Sequence, residues 1–255
     1  MNDKEKKTPW FSFLHEKNTS VIDETYCNSN DFEWSEMLEK NSEIIRQELL
    51  SFLNFNQKEL KPYFATTMMN APEKWKSLSF YFWSVAMSKN AINNCPKTIS
   101  LLKKIPHLVS ASVSIMESHS EIKPHYGDTD AIYRCHLGVE IPEGLPNCGF
   151  RVGYEDRAWE NGKLLVFNDA AYHKAWNNTD KRRIILLFDI VKPEYAKQTK
   201  WICAKVRGNI LWQFIAEKIG LFKGKKNGFT KTISLIFAGC YFLLFSSYLK
   251  SELLK

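Results

Sequence analysis

Hydrophobic and polar positions follow a helical period in the first part of this chain. In SEMLEKNSEIIRQELLSFL, which begins at Ser35, apolar residues recur every three or four positions and fall near one helical face. These residues are Met37, Leu38, Ile44, Ile45, Leu49 and Leu50. A second helix is predicted at CPKTISLLKKIP, where Pro96 suits the first helical turn. The pattern predicts a mostly helical region over residues 1–105 that packs on the core after it.

Between residues 106 and 193 the period changes to two. Short runs rich in Val, Ile, Phe and Tyr are separated by Gly, Pro, Asn and Asp. The runs are LVSASVSIM, AIYRCHLGVEI, CGFRVGY, KLLVFND and RRIILLFDI. Several short strands with turn residues between them are typical of a β-sandwich or a β-barrel. This region is therefore predicted to be the β core.

The strand AIYRCHLGVEI separates two kinds of side chain. Its apolar residues share one face: Tyr133, Cys135, Leu137, Val139 and Ile141. The other face carries Arg134 and His136, which are two residues apart and point the same way. A guanidinium and an imidazole on the inner wall of a barrel need a ligand or a partner, because burying them alone is costly.

The last region is apolar and basic. Residues 192–255 contain twelve Lys/Arg and three Asp/Glu, so this region has a net charge of +9. The whole chain has a net charge of +7, so the residues before it carry −2. Residues 194–231 predict an amphipathic basic helix able to lie on a membrane surface. Residues 232–249 are uncharged and would span about 27 Å as a helix, roughly a hydrocarbon core.

This tail predicts a transmembrane helix, and its lysines, concentrated before the apolar run, place the body of the protein in the cytoplasm by the positive-inside rule. A C-terminal core helix is the alternative. Nucleic acid is disfavoured as a partner, because the basic residues bracket an apolar segment instead of lining one polar face.

The first fifteen residues contain no apolar run of signal-peptide length. The six cysteines are scattered without a CxxC pair, which favours a reducing compartment.

The residues able to carry chemistry form a set in the β region. No HExxH, GxSxG, Walker or GxGxxG motif is present. What remains is His125 in PHYGDT, Arg134 and His136, His173 in FNDAAYH, and Arg183. In an antiparallel barrel two such distant histidines can share a metal, and an arginine at the start of the next strand can hold an anionic cosubstrate bidentately.

From about Cys95 to Pro193 the chain resembles the aspartyl/asparaginyl β-hydroxylase family, which includes bacterial lipid A hydroxylases. The resemblance runs through five blocks in one order: CPKTISLLKKIP, SIMESHSEIKPHYGDTD, YRCHLGVEIP, WENGKLLVFNDAAYH and NNTDKRRIILLFDIVKP. It implies a double-stranded β-helix (jelly roll) with flanking helices. It also implies an Fe(II)- and 2-oxoglutarate-dependent dioxygenase that uses O2 to hydroxylate an unactivated C–H bond.

The resemblance assigns roles to individual residues. His125 and His173 match the iron ligands, and Arg183 with Ser114 matches the site for the distal carboxylate of 2-oxoglutarate. Arg134 and His136 match residues that contact the cosubstrate or frame its site. The usual third ligand of such sites is a carboxylate two residues after the first histidine. Here that position is glycine, as in the family, so no protein carboxylate ligand is expected.

Two neighbouring aspartates are harder to interpret from the sequence. Asp128 should point away from Gly127 in an extended segment. Asp169 could be a partner of the metal ligands or a turn residue.

The substrate stays open between two classes. A membrane-anchored body favours a lipid acyl chain, and a peptide or protein Asp/Asn side chain is the alternative. A vacant ligand position could also bind halide, but glycine is normal in the hydroxylases that the chain resembles. A non-catalytic, membrane-tethered binding module is a further alternative, against which the retained set of both histidines, Arg183 and Ser114 argues.

Overall fold

The structure is a computed structural model that describes residues 8–12, 25–63 and 68–219, together with Thr232, Ile236 and Gly239. Its helices are α1 (Ser35–Lys40), α2 (Ser42–Phe55), α3 (Lys89–Asn94), α4 (Pro96–Leu102) and α5 (Thr199–Ile219). Its strands are β1 (Tyr26–Cys27), β2 (Lys61–Pro62), β3 (Trp75–Phe82), β4 (Val85–Ala86), β5 (Leu108–Met116), β6 (Ser120–His125), β7 (Ile132–Glu140), β8 (Cys148–Val152), β9 (Glu155–Arg157), β10 (Leu164–Asn168), β11 (His173–Asn177) and β12 (Arg183–Val191).

Two antiparallel sheets form the core. The larger runs β1-β10-β7-β12-β5-β3-β2, with β4 paired to β3, and the smaller runs β6-β11-β8-β9. From β5 to β12 the chain passes back and forth between the two sheets, which is how a jelly roll is built. The prediction of a mainly β protein is therefore confirmed, and all five runs predicted as strands are strands.

The alternation on β7 separates the apolar core from the interior between the sheets. Cys135, Leu137 and Val139 are buried in a cluster with the N-terminal helices. Arg134 and His136 point the other way and line a cavity. Burying an aliphatic side chain of this size contributes about 2 kcal/mol, which fixes the register of the strand and hence the direction of its two polar residues.

The helices pack on the outer face of the larger sheet. The predicted first helix is divided at Asn41, whose side-chain amide donates to the carbonyl of Met37, so α1 and α2 are separate. Ile45 and Leu49 on α2 are fully buried against the sheet cluster. Pro96 begins α4, as predicted. The N-terminal region also supplies β3 to the larger sheet, which the helical pattern did not indicate.

The first half of α5 packs on the body of the protein. Ile202, Cys203 and Val206 are buried in a cluster with Phe11 and Trp83. The Nη1 atom of Arg207 donates to the carbonyl of Trp83 at 2.6 Å in a buried hydrogen bond. Apolar residues of α5 that suggested a membrane-surface helix are therefore used here in tertiary packing.

The prediction of a transmembrane anchor is wrong on the evidence of the described residues, in which no helix is long and apolar enough to cross a bilayer. Apart from Thr232, Ile236 and Gly239, the segment 232–249 lies outside those residues. The finding contradicts membrane anchoring by a C-terminal helix. The cytoplasmic placement of the body depended on that helix and falls with it.

Candidate active site

His125 and His173 meet between the two sheets. His125 ends β6 and His173 begins β11, and the two residues are direct partners in the antiparallel register. Their ring centroids are 4.2 Å apart. Neither β6 nor β11 was predicted as a strand, so the sequence identified the histidines without the pairing that brings them together.

Both imidazoles are oriented by backbone carbonyls. Nδ1 of His125 hydrogen-bonds the carbonyl of Lys123 at 2.8 Å, and Nδ1 of His173 hydrogen-bonds the carbonyl of Ala171 at 2.7 Å. A carbonyl only accepts, so each Nδ1 carries the proton and each Nε2 has a free lone pair. Burial lowers the pKa of His125 to about 4 and that of His173 well below its usual value, which keeps both rings neutral. A neutral imidazole with a carbonyl on its second nitrogen is the usual form of a metal ligand.

Gly127, at the position where other iron oxygenases have a third ligand, lies against the carboxylate of Asp169. A Cβ atom at Gly127 would overlap this carboxylate, so the glycine permits its close approach. The backbone N–H of Gly127 donates to the backbone carbonyl of Asp169. The backbone N–H of Asp128 donates to the carboxylate Oδ2 of Asp169 at 3.1 Å. Oδ1 of Asp169 lies 4.0 Å from Nε2 of His173. Within the described residues no group of three or more His, Cys, Asp or Glu side chains is arranged to hold a metal.

Arg134 is held by two aspartates. Its Nε and Nη2 donate to the two carboxylate oxygens of Asp189 at 2.7 and 3.1 Å, and its Nη1 lies 2.6 Å from Oδ1 of Asp169. Burial raises the pKa of Asp169 to about 7, although the charge of Arg134 opposes this. Because the guanidinium already binds two carboxylates, we expect Arg134 to position Asp169 and Asp189 beside the histidines.

His136 presents a hydrogen-bond donor to the interior. Nε1 of Trp159 donates to Nδ1 of His136 at 3.2 Å, so the proton of the ring is on Nε2. Burial, followed by the charges of Arg183 and Arg134, lowers the pKa of His136 well below its usual value and keeps the ring neutral. Nε2 is buried and has no hydrogen-bond partner within the described part of the chain. A buried donor of this kind marks a place for an acceptor.

Arg183 is a buried cation that pairs with no carboxylate of the described residues. Its guanidinium lies 4.5 Å from the ring centroid of Trp159, and Nη1 donates to the carbonyl of Ser114 at 3.3 Å. Burial lowers its pKa to about 10, because the charged form is poorly solvated there. The Oγ of Ser114 accepts from Nε1 of Trp75 at 3.1 Å, which leaves the serine hydroxyl free to donate.

Two adjoining cavities connect these groups. The smaller, with an empty volume of about 390 Å³, is lined by both histidines, His136, Arg183 and Ser114. The larger, about 1070 Å³ including its open mouth, shares His125, Arg134 and Ser114 with it and continues along β3 and β5. All six residues predicted for the site line the smaller cavity. Asp128 also lines the larger cavity and is not turned away from the site.

The donor set fits a divalent metal and a dicarboxylate. Two neutral imidazoles with free Nε2 atoms could bind iron, and both line the cavity. Arg183 and His136 supply unsatisfied buried donors, Nε of Arg183 and Nε2 of His136, in the same cavity. Buried donors without acceptors are costly unless an anion satisfies them.

The sequence missed the two tryptophans and Asp189. Trp75 lies in the region predicted to be helical, and its link to Ser114 spans 39 residues. Trp159 stands in the block WENGKLLVFNDAAYH, but nothing local indicates that its ring serves both His136 and Arg183. Asp189 could have been found, because it shares the face of its predicted strand with Arg183 by period-two alternation.

Comparison with known proteins identifies the family. A model of the aspartyl/asparaginyl beta-hydroxylase family matches residues 39–193. The chain is 33% identical over 188 residues to an ornithine lipid ester-linked acyl 2-hydroxylase of Rhizobium tropici, covering 72% of this chain and 66% of that protein. It is 32% identical over 169 residues to the human aspartyl/asparaginyl beta-hydroxylase, covering 64% of this chain and 22% of that protein.

The chain thus spans just under two thirds of the first relative and about a fifth of the second. Among solved structures, a prolyl-4-hydroxylase of Pseudomonas putida aligns over 68% of this chain and 97% of its own, with 10% identity and a TM-score of 0.46. The matched family region contains the helices α2 to α4 and every strand from β2 to β12. The resemblance noted in the sequence is confirmed, and the chain belongs to the aspartyl/asparaginyl beta-hydroxylase family.

Proposed function

We propose that this protein is an Fe(II)- and 2-oxoglutarate-dependent dioxygenase that hydroxylates an unactivated C–H bond. The observation that carries the proposal is one cavity lined by a pair of neutral imidazoles and by a buried guanidinium with a serine hydroxyl beside it. His125 and His173 present free Nε2 atoms, while Arg183 and Ser114 present donors without a protein carboxylate. Family membership supports hydroxylation as the reaction type, and this pairing supports the cofactors.

Each residue has a task that follows from its contacts. His125 and His173 would hold Fe(II), and Arg183 with the Ser114 hydroxyl would hold the distal carboxylate of 2-oxoglutarate. The Nε2–H of His136 would donate to the other end of the same molecule. Phe150 and Phe167 line the cavity beside the histidines and exclude water from it. Iron with 2-oxoglutarate, when bound, supplies the activation of O2 needed to hydroxylate the substrate.

We propose a membrane lipid acyl chain as the substrate. The support is the R. tropici relative, which covers more of this chain than the human relative does and is described as a lipid acyl 2-hydroxylase. Position 2 of an acyl chain lies next to its carbonyl group and hence near a polar headgroup. A reacting carbon close to a headgroup suits the larger cavity, whose wall carries hydroxyl and carboxylate groups beside His125.

A peptide Asp or Asn side chain is the second candidate. The observation that favours it is the 32% identity to a protein described as an aspartyl/asparaginyl beta-hydroxylase. Mass spectrometry of lipid extracts and of peptides, from cells with and without this protein, separates the two candidates. A lipid heavier by one oxygen atom supports the first. An unchanged lipidome with an oxidised peptide supports the second.

The cofactor proposal is tested by succinate release from purified protein supplied with Fe(II), 2-oxoglutarate and O2. We expect release from the wild type and none from the His125→Ala, His173→Ala double variant. His119→Ala is the matched control, because His119 is exposed and pairs with Asp180 outside the cavity. Wild-type release from the double variant would refute the ligand assignment. Absence of both metal and 2-oxoglutarate binding in the wild type would favour a non-catalytic binding module.

A further inference from the structure

The larger cavity has a polar wall on the side of β3 and β5. Five serines of these strands line it: Ser77, Ser79, Ser110, Ser112 and Ser114. The register pairs Ser77 with Ser114 and Ser79 with Ser112, so two pairs of hydroxyls lie side by side across the strands. Ser110 accepts a hydrogen bond from the backbone N–H of Trp83 at 3.1 Å. Small hydroxyl side chains leave room there and offer acceptors as well as donors.

Asp128 supplies a carboxylate to the same cavity. It follows the β6 end at His125 by three residues, and its backbone is fixed by the hydrogen bond from its N–H to Asp169. No cation or hydrogen-bond donor of the described residues pairs with its side chain. Burial raises the pKa of the Asp128 carboxyl to about 6, with the charge of Arg134 opposing the change. An enclosed carboxylate without a partner is costly in the ligand-free protein.

Neither of the two guanidiniums near the site forms an ion pair with Asp128. Arg134 faces three carboxylates: Asp189 and Asp169, which it binds, and Asp128, which feels its field. Arg183 is the second cation of the two cavities. The guanidinium of Arg134 is already bound to two carboxylates, and Arg183 does not line the larger cavity, so neither guanidinium is paired with Asp128.

Two aromatic rings line the same cavity as this carboxylate. Tyr63 and Trp75 line the cavity and stack at 3.7 Å with an interplanar angle of 17°. Burial and then the charge of Asp128 raise the pKa of Tyr63, so the two side chains lie within each other's field. A cavity that combines a carboxylate, aromatic rings and hydroxyl acceptors is a favourable environment for an organic cation.

We infer that the larger cavity binds a positively charged ammonium group of the substrate and that Asp128 is the residue that selects it. The ammonium would bind Asp128 and donate its remaining hydrogens to the serine wall. This rests on the proposed function, because it places the charged group of the substrate beside the carbon that is hydroxylated. A substrate whose polar part is anionic would be repelled by the carboxylate of Asp128.

The inference is tested by the binding of three small probes of similar size: butylammonium, butan-1-ol and butyrate. The protein is loaded with Mn(II) and 2-oxoglutarate under argon, and the dissociation constant of each probe is measured by titration. We expect wild-type protein to bind butylammonium at least about tenfold more tightly than butan-1-ol, and butyrate least well. Asp128→Asn keeps the shape and removes the charge, so it should lose the preference. Asp31→Asn, a change of the same kind on the exposed surface, should keep it.

The outcomes separate the two proposals. If Mn(II) and 2-oxoglutarate do not bind to the wild type, the proposed function fails, and the titration of the metal-free protein still tests Asp128. If both bind but butylammonium has no advantage, or Asp128→Asn keeps that advantage, the inference about the ammonium group is overturned. If Asp128→Asn instead weakens Mn(II) binding tenfold or more, Asp128 acts on the metal, and the inference is likewise overturned.

Discussion

The carboxylate of Asp169 fills the space that a Cβ atom at Gly127 would need. The two residues are also joined by the hydrogen bond from the Gly127 N–H to the Asp169 carbonyl at 2.8 Å. In many iron oxygenases a ligand carboxylate extends from the position of Gly127. In this chain a carboxylate reaches the same neighbourhood from the β10–β11 turn and is bound to Arg134. The glycine is therefore a packing requirement as well as a missing ligand.

We expect Gly127→Ala to destabilise the protein by about 1–3 kcal/mol, because the added methyl group displaces a buried, paired carboxylate. The free energy of unfolding in urea measures this. Gly144→Ala is the matched control, since a Cβ atom there would meet only the Cβ of Ala158 at 3.7 Å. In the background Asp169→Ala, the cost of Gly127→Ala should fall markedly. A cost that is the same in both backgrounds would show that the overlap with Asp169 is not its cause.

The two buried arginines should respond in opposite ways to removal of their charge. Arg134→Met would leave Asp169 and Asp189 buried without a cation, and we expect a loss of about 3–5 kcal/mol in the free energy of unfolding. The measurement is urea unfolding of the metal-free protein at pH 7.5. A loss below about 1 kcal/mol would mean that the two aspartates are neutral in the folded protein.

Arg183→Met should stabilise the ligand-free protein by about 1–2 kcal/mol, because it removes a buried charge that no carboxylate of the described residues neutralises. The same variant should bind 2-oxoglutarate about a hundredfold or more weakly, since a charged anchor is lost. Unfolding in urea and titration with 2-oxoglutarate check the two halves. Unchanged 2-oxoglutarate affinity would remove Arg183 from the cosubstrate site.

Substitution of Trp159 should weaken the binding of 2-oxoglutarate and leave the affinity for the metal unchanged. Trp159→Phe keeps a ring beneath Arg183 but removes the N–H that fixes the proton of His136 on Nε2. We expect 2-oxoglutarate to bind about tenfold more weakly, which corresponds to one hydrogen bond of about 1 kcal/mol or slightly more. Metal affinity, measured in the same preparation without 2-oxoglutarate, should stay unchanged. A matching loss of metal affinity would indicate general damage to the site.

The strands that could be predicted are those buried on both sides or alternating cleanly. β5, β7, β10 and β12 lie in the larger sheet, and their runs of β-branched and aromatic residues make them visible. β6, with the sequence SEIKPH, contains a proline and exposes Lys123 and Pro124, so its pattern is too polar to recognise. The resemblance to the family, not the pattern of the strand, identified its histidine.

The sequence predicted which residues gather at the candidate site, but it did not predict the side-chain contacts that orient them. His125, His173 and Arg183 are chemically distinctive, and each can be assigned from its motif. The links that orient them are side-chain contacts between residues far apart in sequence, such as Arg134 with Asp189 over 55 positions. Such pairs depend on the register of strands that meet only in the folded sheet. Helix α5 shows a related limit, because the apolar residues of a helix look alike in sequence whether lipid or protein covers them, and here protein covers Ile202 and Val206.

Asp128 should make the stability of the ligand-free protein depend on pH. Its folded-state pKa is about 6, above the value near 3.9 in an unfolded chain, so the folded protein holds this proton more tightly. Ionisation above pH 6 therefore costs stability, by up to about 3 kcal/mol, and the cost disappears as the pH falls from 6 to 4. We expect Asp128→Asn to be more stable than wild type by about 1–3 kcal/mol at pH 8 and by about a third of that gain at pH 4.5. Urea unfolding at the two pH values measures the difference, with Asp31→Asn as the surface control. A gain of equal size at both pH values would show that the variant acts through packing, and that the Asp128 carboxylate is not a strained, uncompensated charge.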